Sequence, residues 1–331
     1  MRKRLHPLVV GLAVLAAATA LAACGSSKKS SSSTSSATTT STTSAANNST
    51  IQSNPANKGK KVTIGSKNFT EEFILGQVYA QALKAAGYTV KTQLNLGSEQ
   101  IALRALEKGQ VDAYPEYTGT ALTSFFGMKA TAVPHNDQKA YEIAKTDFAK
   151  KNLVALPPTP FTDSNGVGML KTKAQKLGIT KISDLSSKAS QLTFSGTPEC
   201  PQRPDCLLGL KQVYGLKFKK VTAVDPALRH KVLDGGQADV SIVYTTDGQL
   251  AQGKELLLQD DKHMFPPYNA TLVFRASVLS ALGPDAGDTI ALVQKGLTTE
   301  AMQELNSRVD IDKQTPAKVA RDYLKESGYL K

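Results

Sequence analysis

Tryptophan is absent from this chain, so an aromatic binding surface must rest on its ten tyrosines and ten phenylalanines. Histidine is scarce as well. His6, His135, His230 and His263 are scattered, and the three cysteines show no zinc-ligand spacing with them. That removes the common metal centres and leaves no visible base beside a nucleophile. Ser195, in FSGT, lacks the flanking glycines of a nucleophile elbow. No G-x-x-x-x-G-K-S/T loop is present to cradle phosphates. The formal charge of +12 comes without a helix-turn-helix signature or an arginine-rich block, so nucleic acid is not an expected partner. The residues therefore point to no catalytic set, no metal and no cofactor. Long apolar stretches are missing too: the run at residues 8–23 is too short for a comfortable membrane span.

What surrounds that run explains it. Arg2, Lys3 and Arg4 precede it, and it closes on Leu21-Ala22-Ala23-Cys24-Gly25. This resembles a bacterial lipobox. Residues 1–23 then read as a signal peptide cut before Cys24, whose thiol takes a lipid and anchors the chain to the cell membrane. Without them the formal charge falls to +9, mostly scattered lysine, which favours solubility or loose attraction to an anionic envelope. Residues 25–60 are rich in Ser, Thr, Ala and Asn and are expected to form a disordered tether. Its r.m.s. span would be about 30–35 Å. Residues 24–60 are thus a lipidated tether.

From residue 61 strand and helix patterns alternate. Strands are expected at 62–65, 88–94 and 111–114, with Pro115 ending the third. Between them lie helices at 71–86, capped by Thr70 and stopped by Gly87, and at 98–109. A helix opens at 117–120 and another spans 137–151, and a strand covers 153–156. The proline-restricted segment PPTPFTDSN then crosses into a second lobe. There strands are expected at 166–170, 192–195, 221–224 and 239–244, with helices at 206–214 and 226–233. The chain returns near 263–268. A strand at 271–275 and helices near 285–296, 298–308 and 316–326 finish the first lobe. The pattern predicts an α/β fold with parallel, doubly wound sheets. Residues 61–161 with 269–331 form one lobe and 162–268 the other.

The two lobes share a signature. Residues 106–118 read L-x-x-G-Q-x-D-x-x-x-x-Y-T, and residues 233–245 repeat it. Each copy ends a helix at glycine, runs through a short strand and closes on Tyr-Thr. In open α/β sheets, ligands bind beyond the carboxyl ends of strands. Tyr117 and Tyr244 should therefore face one cleft, and Tyr268 falls at the return crossing. Tyrosine faces attract cations, quaternary ammonium groups above all. Cys200 and Cys206, in PECPQRPDC, are in an exported protein most simply a disulfide, two free buried thiols being the alternative. Arg203 sits inside that loop, where a staple would pre-position its guanidinium; a plain surface arginine is the other reading.

SKNFTEEFILGQ, DAYPEYTGT, the Arg203-Pro204-Asp205 loop and YTTDG resemble the substrate-binding proteins of osmoprotectant ABC transporters, over about residues 61–331. Those proteins bind glycine betaine, choline, carnitine or proline betaine. The resemblance implies a two-lobed type II periplasmic-binding-protein fold with two crossing strands and a ligand cleft between the lobes. It implies a monomer that delivers a small osmolyte to ABC permease subunits, and no enzyme. It also implies the ligand residues. Tyr117, Tyr244 and Tyr268 match the aromatic cage around the ammonium. Lys67, Thr120 and Arg203 match the groups that hold a carboxylate, and Asp163 matches an acidic position at the cage edge. Asn165 departs from the pattern, standing where glycine betaine binders carry another cage tyrosine. An amide there would weaken the cage or favour a ligand with a hydroxyl or amine.

Overall fold

The computed structural model describes residues 50–331; the leader, the lipidation site at Cys24 and the tether up to residue 49 lie outside the described residues. The strands, in chain order, are β1 (Lys61–Gly65), β2 (Thr89–Gln93), β3 (Ala113–Tyr117), β4 (Leu153–Ala155), β5 (Asn165–Leu170), β6 (Thr193–Gly196), β7 (Lys220–Ala223), β8 (Val240–Tyr244), β9 (Glu255–Leu258) and β10 (Ala270–Arg275). They form two five-stranded sheets, ordered β2-β1-β3-β10-β4 and β7-β6-β8-β5-β9. Helices cover both faces of the first sheet. On one face Ile64, Leu272 and Phe274 pack with Ile74 and Val78 of helix Thr70–Ala85 and with Val319 of helix Pro316–Glu326. On the other, Tyr114 and Val273 meet Leu106, Leu122 and Phe148. Successive strand residues point to opposite faces, so each strand feeds two cores. In the second lobe Phe194, Val240 and Ile242 pack with Ile182 and Leu210, while Val243 turns to Val232 and Leu233.

Both sheets are mixed rather than wholly parallel. β1, β2 and β3 run parallel, as do β6, β7 and β8. β10 is antiparallel to β3 and β4, and β5 is antiparallel to β8 and β9. The reason is the crossing. β5 and β10 each enter a sheet from the cleft, so they run away from it while their neighbours run towards it. Hence Ala270 pairs with Tyr117 and Asn165 with Tyr244. The two crossing segments pair with each other through an antiparallel bridge between Thr162 and Asn269. Asp163 N donates to Tyr268 O at 3.0 Å, and Tyr268 N to Thr162 Oγ1 at 2.9 Å.

The repeated sequence signature has a shared structural job. Asp112 accepts a hydrogen bond from Thr63 N at 2.8 Å, and Asp239 accepts one from Thr193 N at 2.7 Å. Each also pairs with a cation at or just beyond the far end of the strand that crossed over, Arg275 as the last residue of β10 and Lys173 after β5. The aspartate thus pins the start of β3 or β8 to its parallel neighbour, and the tyrosine five residues on arrives at the cleft.

Several expectations need correction. Pro115 does not end β3. Thr118 N donates to Asn269 O, so alternate residues of β3 address β10 and Pro115 addresses the opposite side. There β1 pairs with β3 only at Ile64–Ala113, and a missing N–H costs nothing. The tether does not extend to residue 60. Ile51 N donates to Tyr329 O, and buried Asn57 donates to Ala86 O at 3.0 Å, so the chain is anchored before β1 begins. Thr70 does not cap its helix: its hydroxyl donates instead to Asp310 Oδ1 at 2.6 Å. Strand β9 and the helices Lys171–Leu177, Gly248–Ala251 and Ala276–Leu282 were not expected. They are short segments whose pattern is set by neighbours distant in sequence.

Candidate functional site

All eight residues expected at the site border a single narrow cleft between the two sheets. Lys67 follows β1, while Tyr117 ends β3 and Thr120 sits in the turn of helix after it. Tyr244 ends β8, Asn165 begins β5, and Arg203 lies in the stapled loop. Asp163 and Tyr268 come from the crossing segments. Cys200 and Cys206 are disulfide-bonded with Cα atoms 5.1 Å apart. Among the described residues no group of three or more His, Cys, Asp or Glu is placed to hold a metal.

The aromatic rings do converge, with one member the sequence reading missed. Phe69 lies 6.1 Å from Tyr117, ring to ring, and 5.4 Å from Tyr244. It therefore spans the lobes. Its signal was in plain view: it directly precedes helix Thr70–Ala85, two residues from Lys67, and a helix start beside a strand end faces the cleft. The hydroxyls of the two cage tyrosines from the first lobe and the crossing are each engaged by an acid. Tyr117 OH donates to Glu71 Oε1 at 2.7 Å, and Tyr268 OH to Asp205 Oδ2 at 2.6 Å. Burial, with the charge of those carboxylates, pushes both phenols well above their ordinary range. The rings are thus fixed in orientation and stay neutral. Tyr244 lies with the Arg229 guanidinium 4.4 Å from its ring centre. That arginine is held by Asp247, which also bonds His230 Nε2 at 2.8 Å.

The cations of the site are already paired. Lys67, 4% exposed, binds Glu116 at 2.5 Å and lies 3.5 Å from Glu72, with its ammonium 4.4 Å from the Tyr117 ring centre. Burial pushes Glu72 up to about 8 despite the neighbouring ammonium. Arg203 forms two parallel bonds to Asp205, Nε to Oδ1 at 2.8 Å and Nη2 to Oδ2 at 2.6 Å. Its third nitrogen reaches across to Glu99 of the first lobe at 3.3 Å. Burial works against the Asp205 charge, but Arg203 outweighs it and holds that carboxyl below the usual range. Asn165 is not an idle amide either. Its Nδ2 donates to Asp205, at 3.1 Å to the backbone carbonyl and 3.2 Å to the carboxylate. Sequence reasoning missed Glu71 and Glu99 because their partners lie tens to hundreds of residues away, and missed Asp205 because only the fold brings Asn165 and Tyr268 to it beside Arg203.

This geometry has known parallels. Residues 60–326 match the family described as the substrate binding domain of ABC-type glycine betaine transport systems. The chain belongs to that family. As a substrate-binding domain it is the binding component of a transport system, and it has the two-lobed type II periplasmic-binding-protein fold. The glycine-betaine-binding protein of Pseudomonas aeruginosa is 36% identical over 289 residues, 82% of this chain and 90% of that protein. The ergothioneine transport permease/ergothioneine binding protein EgtU of Helicobacter pylori is 28% identical over 81% of this chain, which spans 48% of that longer protein. A crystal structure of a glycine betaine/carnitine/choline ABC transporter protein shares 28% identity and a TM-score of 0.64 over 82% of this substrate-binding domain and 100% of that chain. No helix among its described residues is long and apolar enough to cross a membrane.

Proposed function

We propose that this substrate-binding domain takes a small quaternary amine or zwitterionic osmolyte into its cleft and hands it to the permease of an ABC importer. The observation that carries the reading is the meeting of Phe69, Tyr117, Tyr244 and Tyr268 around one space, from both lobes and a crossing segment. Each such ring contributes about 0.5–2 kcal/mol to a desolvated cation. Asp163 supplies negative charge at the cage edge, and Lys67, Thr120, Arg203 and Asn165 line the polar remainder. A ligand carboxylate reaches Arg203 by displacing Glu99, the longest of the arginine's contacts. The names of the relatives support the ligand class: glycine betaine in Pseudomonas aeruginosa, and carnitine in the Listeria monocytogenes protein OpuCC, 28% identical.

On this reading the lobes exchange near 161/162 and 268/269 and close over the ligand by a hinge at the crossings. Cys24 carries the lipid that holds the receptor at the outer face of the membrane, and the receptor works as a monomer. The test is a thermal-shift screen, followed by calorimetry, across choline, glycine betaine, carnitine, proline betaine, ergothioneine and free amino acids. At least one methylated amine should raise the melting temperature in a concentration-dependent way. Stabilisation by free amino acids alone would overturn the reading. A larger betaine with a hydrogen-bonding ring is a second reading. The polar wall of Ser98, Thr197 and Glu199 beside the cage favours it, since a trimethylamine group alone leaves that wall unmatched.

A further inference from the structure

Helix Thr299–Asp310 buries Met302 and Leu305 in the first-lobe core and turns Gln303 and Asn306 to the second lobe. Gln303 Nε2 donates to Thr245 O at 2.9 Å, and Asn306 Nδ2 to Thr246 O at 3.0 Å. Both carbonyls lie one or two residues past Tyr244, the last residue of β8. The two amides differ in what else they hold. Asn306 Nδ2 also donates to Glu71 Oε2 at 2.9 Å, and the other oxygen of Glu71 accepts from Tyr117 OH at 2.7 Å. Hydrogen bonds thus run unbroken from the backbone of the second lobe to the ring of a cage tyrosine in the first. Gln303 has no such continuation: among the described residues its side chain bonds Thr245 O alone.

Asn306, Glu71, Tyr117 and Thr246 are each 3% exposed or less, so water does not compete for these bonds. The amide nitrogen carries two hydrogens in one fixed plane, and each has an acceptor on a different lobe. Swinging the amide to meet Thr246 therefore also sets its bond to Glu71. Asn306 Oδ1 is buried too and meets no donor among the described residues. An idle buried acceptor is costly, so what the nitrogen holds must offset it. Glu71 in turn has both oxygens occupied, one by each end of the chain. Removing the amide leaves that carboxylate with the phenol as its one partner in the chain and frees it to turn, and the ring of Tyr117 turns with it.

We propose that Asn306 is a positioning residue for the cage: its amide ties Thr246 of the second lobe to the carboxylate that seats Tyr117, so lobe contact and ring orientation are set together. This rests on the osmolyte reading above and its hinge. Gln303, on the same helix face, is a clasp between the lobes and nothing more. A bond across the junction forms only once the lobes touch, so losing it speeds escape of a bound solute rather than slowing its capture. Losing Asn306 does that and loosens the cage as well.

The experiment measures association and dissociation of choline and of glycine betaine by stopped flow with the full chain. It compares Asn306→Leu, which keeps the shape and loses the donors, with Gln303→Met, each alone and combined with Tyr117→Phe. Each single variant should speed dissociation about five- to tenfold and leave association within about twofold. In the Tyr117→Phe background the effect of Asn306→Leu should fall to about twofold, while Gln303→Met keeps its full factor. Factors that multiply for both variants overturn the proposal and leave the osmolyte reading standing. Asn306→Ala, which adds no bulk, must repeat the pattern and serves alone if Asn306→Leu does not fold. A second measurement needs no ligand. In the free protein labelled at tyrosine Cζ, the carbon resonance that Tyr117→Phe removes should shift in Asn306→Leu or Asn306→Ala and stay in place in Gln303→Met. If no methylated amine binds, the osmolyte reading falls and this resonance decides the role of Asn306: an unmoved signal overturns it.

Discussion

Gly248 is the sharpest place to test whether the lobes must touch. It starts the short helix Gly248–Ala251 of the second lobe, and helix Thr299–Asp310 of the first lobe lies directly against it. A Cβ at Gly248 would stand 2.8 Å from Ser307 Cα and Cβ and 2.9 Å from its backbone nitrogen. Ordinary carbon contacts are about 3.5–4.0 Å, so the helix must retreat by about 1 Å. Backbone cannot swing aside as a side chain would. The retreat also stretches two bonds across the same junction, Gln303 Nε2 to Thr245 O at 2.9 Å and Asn306 Nδ2 to Thr246 O at 3.0 Å. Overpacking of this kind costs about 1–3 kcal/mol. If the lobes close by the proposed hinge, the cost falls on the arrangement in which these two helices touch, because Gly248 has no left-handed backbone to lose. Gly248→Ala should therefore weaken ligand binding by about 5- to 150-fold, with melting temperature of the free protein little changed. Calorimetry gives the affinity, and small-angle scattering shows a larger radius of gyration at equal ligand occupancy. An unchanged affinity in a well-folded variant would refute the reasoning, since contact at Ser307 would then play no part in closure.

Three further outcomes follow from the site. Glu99→Gln removes the cross-lobe partner of Arg203 and frees one side of its guanidinium, so glycine betaine should gain on choline by about 1.5 kcal/mol, roughly tenfold in the ratio of dissociation constants; equal changes for both ligands would show that Arg203 does not meet the carboxylate. Phe69→Ala removes the ring that spans Tyr117 and Tyr244 and should cost about 0.5–2 kcal/mol of affinity for choline, measured by calorimetry. His230 should make the fold weaken in alkali. Burial opposes its charge, but the hydrogen bonds its ring donates to Asp247 and Glu255 outweigh burial and push it up to about 9. A raised folded value means that the stabilisation is full below the unfolded value near 6.5 and is lost as pH rises through about 9. Urea melts of the protein and of His230→Gln across that window should differ by up to about 3 kcal/mol at the acid end and converge at the alkaline end.

How much of this was legible in the sequence depends on the range of the interaction. The helix stop at Gly87, where φ is 101°, and the paired tyrosines of the two signatures could be read because the cause lies within a few residues. The mixed sheets could not, because the direction of β5 and β10 is set by where the chain crosses. Pro115 misled because its effect depends on which side of β3 is unpaired. The charge pairing of the cleft was the largest omission. Arg203 reads as a free anchor until Asp205, two residues on, and Glu99, over a hundred residues back, are seen on its three nitrogens. Asn165 reads as a gap in a cage until the Asp205 carbonyl is seen beneath it.

The pairing of the crossing segments has a mechanical consequence. Asp163 and Tyr268 belong to those segments and are joined backbone to backbone. Points near a rotation axis travel the shortest arcs, so on the proposed reading these two residues hold nearly still while Tyr117 and Tyr244 swing with their lobes. A solute entering the open cleft then meets a stationary floor before it meets the moving walls. The floor sorts what enters, by charge, and the walls set how long it stays. Substitutions near the axis should therefore alter which solutes are admitted, and those at the wall tips should alter chiefly the rate at which an admitted solute escapes.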